Sequence, residues 1–322
     1  MTAVSAEIRE RSVDVWNGTV KLRFKIAGSA GAPLIYFHPA AGLFFDPFLS
    51  ALAVDHTVYA PEHPGTSAGD PDAIHKVDSI WDLVLLYEEA IRRLDLPTAP
   101  VAIGQSFGGM MAAELAAHFP SLFKSLILLN PLGLWREDLP ITNWMTTPPA
   151  ALPALLFKDA QHPAAKAMFT PPKDPEEALS RTAHMIWTFG CTGKFVWPIP
   201  ERGLHKRLHR ISTPTLIVWG ADDGLVPAGY AKEFGQAITT SRIEIIPNCG
   251  HIPQAEQSDT TMRLVRDFLG SSDADLDRPC TGRMAKMAPT LANLLLLAAN
   301  HTTMHAGQFT VVRRKLGKPV LF

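Results

Sequence analysis

The sequence predicts an α/β protein: a mainly parallel sheet flanked by helices, with an inserted helical cap and a C-terminal helical tail. Three observations carry that expectation. Short apolar runs alternate with longer stretches of helical periodicity from residue 20 to about 130, and again from 215 to 269. Between residues 135 and 209 that rhythm stops, prolines accumulate, and four of the seven tryptophans occur: Trp135, Trp144, Trp187 and Trp197. After Gly270 the composition shifts through SSDADLDRP into an apolar tail. The expected units are a first core segment 1–134, a helical cap 135–209, a second core segment 210–270 and a tail 271–322.

The elements follow in order. Residues 20–26 (VKLRFKI) alternate with period two, as a half-exposed strand does. Residues 34–38 (LIYFH) are continuously apolar up to the histidine, as a buried strand is, and the loop PAAG follows. Residues 57–60 form a brief strand ending in PEHPG. Val77, Ile80, Leu83, Val84, Tyr87, Ile91 and Leu94 recur at helical spacing, so residues 77–94 are expected to be a helix. A strand at 100–104 (PVAIG) leads into a helix at 107–118 (FGGMMAAELAAH), rich in helix formers. Residues 125–130, 215–220 and 242–247 are the remaining expected strands, and 254–269 the closing helix. Inside the cap, Asp174-Pro175-Glu176-Glu177 marks a helix start: a capping aspartate, proline at the first helical position, then glutamates.

Composition narrows the function. At about 150 residues per domain, 322 residues suggest two units or one large core carrying an insertion. Lysine plus arginine number 30 against 31 acidic residues, a balance that argues against nucleic-acid and membrane-surface partners. A hydrophobic share of 47% with 19% charged fits a packed globule. Cys191, Cys249 and Cys280 are too few and scattered for a disulfide framework. The first residues carry charge where a signal peptide needs an apolar core. The longest apolar run, at 291–300, is about half of what a bilayer requires. A cytoplasmic location is expected.

Gly104-Gln105-Ser106-Phe107-Gly108 is a G-x-S-x-G sequence between an expected strand and an expected helix. Such a pentapeptide arises by chance in roughly one chain of this length in ten, so its placement matters more than its letters. A sharp strand-to-helix turn exposes the serine in a strained conformation, and the helix points its positive end at the site. Serine needs a base within hydrogen-bond reach. Among twelve histidines, His251 in Asn248-Cys249-Gly250-His251-Ile252-Pro253 follows the last expected strand on a loop, where it can reach the sheet's end. The imidazole needs a carboxylate to fix its tautomer. Gly220-Ala221-Asp222-Asp223-Gly224-Leu225-Val226-Pro227 offers two, and physics alone does not separate Asp222 from Asp223.

These motifs resemble the α/β-hydrolase superfamily over roughly residues 12–270, in the family's order serine, acid, histidine. The family register places the acid four residues before the loop proline, which selects Asp223. The resemblance also assigns an oxyanion hole to the backbone N–H groups of Ala40, in His38-Pro39-Ala40-Ala41-Gly42, and of Phe107. Family members often carry His-Gly where this chain has His38-Pro39. Proline has no N–H, but the implied donor is the next residue, Ala40. Serine as nucleophile disfavours the epoxide hydrolase and haloalkane dehalogenase branches, which use aspartate. The resemblance therefore implies a cofactor-independent serine hydrolase of ester or lactone bonds in a small, largely apolar substrate. Carbon–carbon bond hydrolysis of a ring-cleavage product is one alternative; those enzymes usually carry tryptophan after the histidine and asparagine before the serine, where Ile252 and Gln105 stand here. A non-catalytic ligand-binding homologue is the other.

Trp144, Trp187 and Trp197, with Phe189 and Phe195, would either line an apolar substrate pocket or hold the cap together. The basic run His205, Lys206, Arg207, His209 and Arg210 fits a solvated surface, and no residue cluster points to a cofactor. Residues 288–322 resemble the last helix of the DinB-like metalloprotein family, whose H-x-x-x-H pair His301 and His305 match. That family's third histidine has no counterpart between Pro253 and Asn300, and Thr302 stands where a zincin has its glutamate. No metal is therefore expected there. The apolar run 294–297 is expected to dock on the core or on a second copy of the chain.

Overall fold

Burial sorts the strands before hydrogen bonding joins them. In the computed structural model, which describes residues 7–67, 70–197 and 201–277, four strands bury every residue. They are β3 (Pro33–Phe37), β5 (Val101–Gln105), β6 (Ser125–Leu129) and β7 (Thr215–Gly220). These apolar, β-branched-rich runs have helices to cover both faces and form the parallel centre of the sheet. β1 (Arg9–Val15), β2 (Val20–Ala27), β4 (Thr57–Pro61) and β8 (Ser241–Ile246) complete it. The order is β1-β2-β4-β3-β5-β6-β7-β8, with β2 antiparallel to both of its neighbours and the other pairs parallel. The outer strand β1 is largely exposed and charged, as an edge must be to avoid pairing with other chains, whereas β8 exposes Ile243 and Ile245 beside the charged Arg242 and Glu244.

The helices are α1 (Pro47–Leu52), α2 (Ile80–Arg93), α3 (Phe107–His118), α4 (Leu152–Leu156), α5 (Pro163–Phe169), α6 (Pro175–Val196), α7 (Gly229–Ala237), α8 (Pro253–Glu256) and α9 (Ser258–Asp277). α2 begins at Ile80 rather than at 77 because Ser79 and Asp82 form a reciprocal capping box, while Pro71–Lys76 make a 3₁₀ turn ahead of it. α3 covers the expected residues. The expected closing helix is broken at Gln257 into α8 and α9, and α9 continues through Gly270 to Asp277. A glycine only weakens a helix; a proline, which would stop it, first comes at 279. β1 was not expected because five of its seven residues, RERSVDV, are polar or charged and only Val13 and Val15 are buried. α1 and α7 are short, six and nine residues.

The segment joining β6 to β7 carries α4, α5 and α6. Asp174 caps α6 by accepting from the Glu176 N–H (3.3 Å), with Pro175 at the first helical position. The insertion is pinned at both ends. The Arg207 guanidinium grips the buried Glu114 of α3 with two bonds (2.8 and 2.6 Å), and Thr142 N–H donates to Leu225 O (3.1 Å). The chain divides into two compact units, Met1–Met262 and Arg263–Phe322, the second described only as far as Asp277. His301, His305 and the run 294–297 lie outside the described residues. No helix among the described residues is long and apolar enough to cross a membrane.

Candidate active site

Every residue singled out for chemistry in the core sits at a carboxyl end of the parallel strands, where α/β sheets gather their ligands. Ser106 follows β5 directly. It holds φ 56° and ψ −118°, a backbone conformation that a non-glycine residue adopts only when its surroundings impose it. Three bonds impose it: Ser106 N–H donates to Leu129 O (2.9 Å), and Ser106 O accepts from Met110 N–H (3.1 Å) and Leu132 N–H (3.0 Å). Gly108 allows the start of α3 to lie against the end of β3, since a Cβ there would come within 2.0 Å of Phe37 O.

The structure brings Ser106, His251 and Asp223 together. His251 Nε2 lies 2.8 Å from Ser106 Oγ, and its Nδ1 lies 2.8 Å from Asp223 Oδ2. The carboxylate can only accept from the ring, so Nδ1 carries the proton and Nε2 is free to accept from the serine hydroxyl. All three are buried, at 3%, 2% and 7% exposure, which removes competing water from the hydrogen bonds. Asp223 takes four donors: Leu225 N–H and Val226 N–H on Oδ1 (both 2.9 Å), and His251 Nδ1 and Asn130 Nδ2 (2.6 Å) on Oδ2. Asp222 faces away and pairs with Lys158 at 2.8 Å, which holds its carboxyl below the usual range. The two loops that carry acid and base touch closely, because a Cβ on Gly220 would meet Gly250 O at 2.0 Å.

Several residues of this arrangement escaped the sequence reading. Asn130, ending β6 at φ 43°, reaches Asp223; Gln105 Nε2 donates to His251 O (2.9 Å). Glu256 accepts from Gly250 N–H (2.6 Å), Lys158 N–H (3.1 Å) and Asp159 N–H (2.9 Å), joining the histidine loop to the insertion. The insertion answers with Leu156 O, which accepts from His251 N–H (2.8 Å). The signal that could have found Asn130 is its place: a polar residue closing the apolar run SLILL, as Ser106 closes VAIGQ.

The loop 38–42 lies on the other side of Ser106. His38 Nε2 accepts from His63 N–H (3.0 Å), so its Nδ1 carries the proton and donates to Pro39 O (2.7 Å). His63 Nε2 donates to His38 O (2.9 Å), leaving its Nδ1 to accept from the Tyr87 hydroxyl. Both rings are buried and neutral: burial pushes His38 down to about 3 and His63 well below its ordinary value. From α6, Thr192 Oγ1 donates to Ala40 O (3.2 Å). Phe107 opens α3, so its N–H has no carbonyl partner within the helix.

The three tryptophans separate. Trp144 is buried and lines a small pocket with Met110, Leu132, Leu134, Ile141 and Val196, a pocket whose lining includes neither Ser106 nor His251. Trp187 instead donates its indole N–H to Gly65 O (2.9 Å), and Trp197 is 46% exposed. Among the described residues no group of histidine, cysteine and carboxylate side chains could hold a metal ion.

Comparison with known proteins gives the family and the fold. A family model described as "Alpha/beta hydrolase family" matches residues 29–264. Among curated proteins, the chain is 28% identical over 230 residues to monoacylglycerol lipase ABHD6 of Rattus norvegicus, covering 66% of each chain. It is 28% identical over 184 residues to 2-hydroxy-6-oxo-6-phenylhexa-2,4-dienoate hydrolase of Burkholderia cepacia, covering 52% of this chain and 62% of that one. The match thus spans just under two thirds of these relatives' own lengths. Among solved structures, a membrane phospholipase A described as a bacterial virulence factor superposes with a TM-score of 0.65 at 19% identity, over 83% of this chain and 87% of its own. The meta-cleavage product hydrolase CumD of Pseudomonas fluorescens IP01 gives 0.65 at 19% identity, over 82% and 98%. At such identities the superpositions speak for the fold.

Proposed function

The chain belongs to the alpha/beta hydrolase family, and from that premise we propose that it is a serine hydrolase of carboxylic ester or lactone bonds in a small, largely apolar substrate. The observation that carries the reading is the unbroken, buried hydrogen-bond chain from Asp223 through His251 to Ser106, both links at 2.8 Å. Ser106 Oγ attacks the carbonyl carbon as its proton passes to His251 Nε2. The carbonyl oxygen, now an oxyanion, is received by the N–H groups of Ala40 and Phe107. The tetrahedral intermediate collapses, the carbon–oxygen bond to the alcohol breaks, and His251 returns the proton to the leaving oxygen. Water repeats the sequence on the acyl-enzyme: His251 takes its proton, the acid is released and Ser106 regains its hydrogen. Asp223 stays ionised throughout and stabilises the imidazolium. No cofactor enters these steps.

The insertion acts as the cap, since it supplies Leu156 O to the His251 N–H and the Thr192 hydroxyl to Ala40 O. A monoacylglycerol lipase among the relatives favours the ester reading. A dienoate hydrolase among them keeps carbon–carbon bond hydrolysis as the second reading, against which stand Ile252 after the histidine and Gln105 before the serine.

The test is labelling with a fluorophosphonate and turnover of a panel of p-nitrophenyl esters, beside Ser106→Ala. The expected result is a single adduct on Ser106 and a fall of about 10³-fold or more in kcat for the variant. Equal behaviour of the two proteins, with no adduct, would overturn the reading. Turnover of a ring-cleavage dienoate with little on esters would replace it by the second.

A further inference from the structure

The two outer strands of the sheet differ. Every exposed residue of β1 is polar, and two of its arginines are tied back to the chain, Arg9 to Gly28 O and Arg11 to Leu94 O and Arg93 O. β8 instead exposes Ile243 (39%) and Ile245 (46%), and among the described residues it pairs with β7 alone. An open strand edge beside exposed apolar side chains is a template for another strand. Which backbone groups point outward follows from the ends of the strand. Thr240 O accepts from Thr215 N–H (3.2 Å) and Ile246 O from Ala221 N–H (2.9 Å), so both residues face β7. Backbone direction alternates along a strand, so Arg242 and Glu244 face β7 as well, and Ser241, Ile243 and Ile245 turn their groups outward. Side chains alternate too. Ile243 and Ile245 share one face, on which a Cβ at Gly235 of α7 would come within 2.3 Å of Ile243 Cδ1. Arg242 and Glu244 share the other face and pair at 3.1 Å.

We propose that β8 is the interface of a homodimer, in which two copies of the chain pair their β8 strands antiparallel across a two-fold axis at Ile243 and continue one sheet into the other. A two-fold axis perpendicular to the sheet makes the paired strands antiparallel and repeats every contact. Outward-facing residues must oppose outward-facing residues, so the axis can fall on Arg242, Ile243 or Glu244. Charge chooses among the three. An axis at Arg242 sets arginine against arginine, and an axis at Glu244 sets carboxylate against carboxylate. An axis at Ile243 sets Arg242 of each copy against Glu244 of the other, in the closer, non-hydrogen-bonded kind of pair. With the pair already present on each strand, the four charges then form a square whose every side joins opposite signs. On the other face Ile243 meets its counterpart and Ile245 meets Ser241 of the second copy, which covers the exposed apolar pair. Ile243 N–H and O exchange bonds with their counterparts, and Ile245 N–H donates to Ser241 O of the second copy. Ser241 N–H is already given to Ile238 O (3.0 Å) and asks for no partner there. The carboxyl ends of the two sheets point opposite ways, so pairing does not bring the two Ser106 sites together.

The experiment is sedimentation velocity of the full chain over about 1 to 100 μM, at low and high salt. The strand is six residues long, so the contact is small and the dimer weak, with an expected Kd on the order of 10 μM. Salt is expected to raise that Kd, because the charged square lies on an exposed face. Arg242→Glu leaves both positions acidic and Glu244→Arg leaves both basic, so each variant alone sets like charges across the axis. Each is expected to raise Kd about tenfold or more. An equimolar mixture of the two variants, and the double variant Arg242→Glu/Glu244→Arg, set opposite charges across the axis again and are expected to regain the dimer. Such rescue depends on residue 242 facing residue 244 of another copy, and no role within one chain produces it. Far-UV circular dichroism reports that each variant is folded. Should either reversal fail to fold, Ile243→Lys replaces it; it sets lysine against lysine at the axis and is expected to be monomeric. A chain that is monomeric throughout the range, a dimer indifferent to both reversals, or a mixture that stays monomeric would overturn the inference.

Discussion

The two flanks of Ser106 solve the same problem in opposite ways. On one flank a buried carboxylate keeps its charge, because Asp223 is surrounded by four donors from three different parts of the chain. On the other flank two buried imidazoles give up theirs: His38 and His63 bond each other and the loop 38–42 as neutral rings, with His38 pushed down to about 3. Burying an ionisable group costs several kcal/mol unless its charge is satisfied or discarded. Charge is satisfied where the proposed chemistry needs a negative partner for an imidazolium, and discarded where only the position of a backbone N–H matters. The charged flank should therefore govern rate, and the neutral flank should govern how stability depends on pH.

The sharpest way to break this contrast is to exchange the two adjacent aspartates' fates. Asp223→Asn leaves the shape but offers the ring an amide, which permits the wrong tautomer of His251. Its kcat is expected to fall by about 10³–10⁴-fold. Asp222→Asn, at a side chain that meets Lys158 and the backbone of Asn248 and Cys249 but not the His251 ring, is expected to stay within about threefold. Steady-state kinetics on one ester decides it, and equal losses would mean that the pairing seen at His251 is not the working one.

Asn130 comes next, because it donates to the same oxygen of Asp223 that His251 uses. A hydrogen bond to a charged acceptor is worth about 1.5–3 kcal/mol. Asn130→Ala is therefore expected to lower kcat by about 10- to 100-fold. Burst kinetics should show slower acylation of Ser106. If Asp223 needs only its backbone donors, kcat will not change, and the four-donor account of the charged flank fails.

How far the sequence could reach divides along the same line. Ser106 and His251 are legible because a local turn presents each, and local turns have sequence signatures. Asp223 was legible only through the family register, since Asp222 and Asp223 are chemically alike and what separates them is the direction of a loop. Asn130 reaches Asp223 93 residues away, His38 and His63 meet across 25, and Glu256 ties nearby Gly250 to Lys158 98 residues away; no local pattern encodes such distances. The fold shows the same rule. The central strands and α3 stand out as apolar runs, whereas β1 is an amphipathic edge held by its register with β2, from Arg9↔Ile26 to Val15↔Val20. The short helices α4 and α5 of the insertion are set by tertiary packing rather than periodicity, and only α6, with its capping aspartate, announced its start.

The neutral flank predicts a pH dependence with a definite sign. The folded chain holds His38 and His63 unprotonated far below the ordinary histidine value, while the unfolded chain binds protons from about pH 6.5 downward. Stability from these two groups is fully present above pH 6.5 and drains as the pH falls from there toward 3, where His38 takes its proton. Each contributes a loss of about 1.4 kcal/mol per pH unit within that window. Urea unfolding at pH 7.5 and 5.5 checks this, and His63→Gln is expected to flatten the slope by about half. A slope equal in both proteins would mean that other groups set the acid limit.

The smallest effect is expected where charge is visible but exposed. Lys158 reaches from the insertion to Asp222, with side-chain exposures of 51% and 32%, and an ion pair in that setting is screened by solvent and salt. The same stretch of insertion is also held by three bonds that do not involve the lysine head: Leu156 O to His251 N–H, and the N–H groups of Lys158 and Asp159 to Glu256. These survive Lys158→Ala, so kcat is expected to stay within about twofold and to show no salt dependence beyond that of the unaltered protein. Glu256→Gln tests the other half of the argument, because an amide can replace only part of the acceptor capacity that serves three backbone N–H groups at once. A loss in kcat larger for Lys158→Ala than for Glu256→Gln would show that the insertion is held against the histidine loop by a surface charge rather than by the backbone.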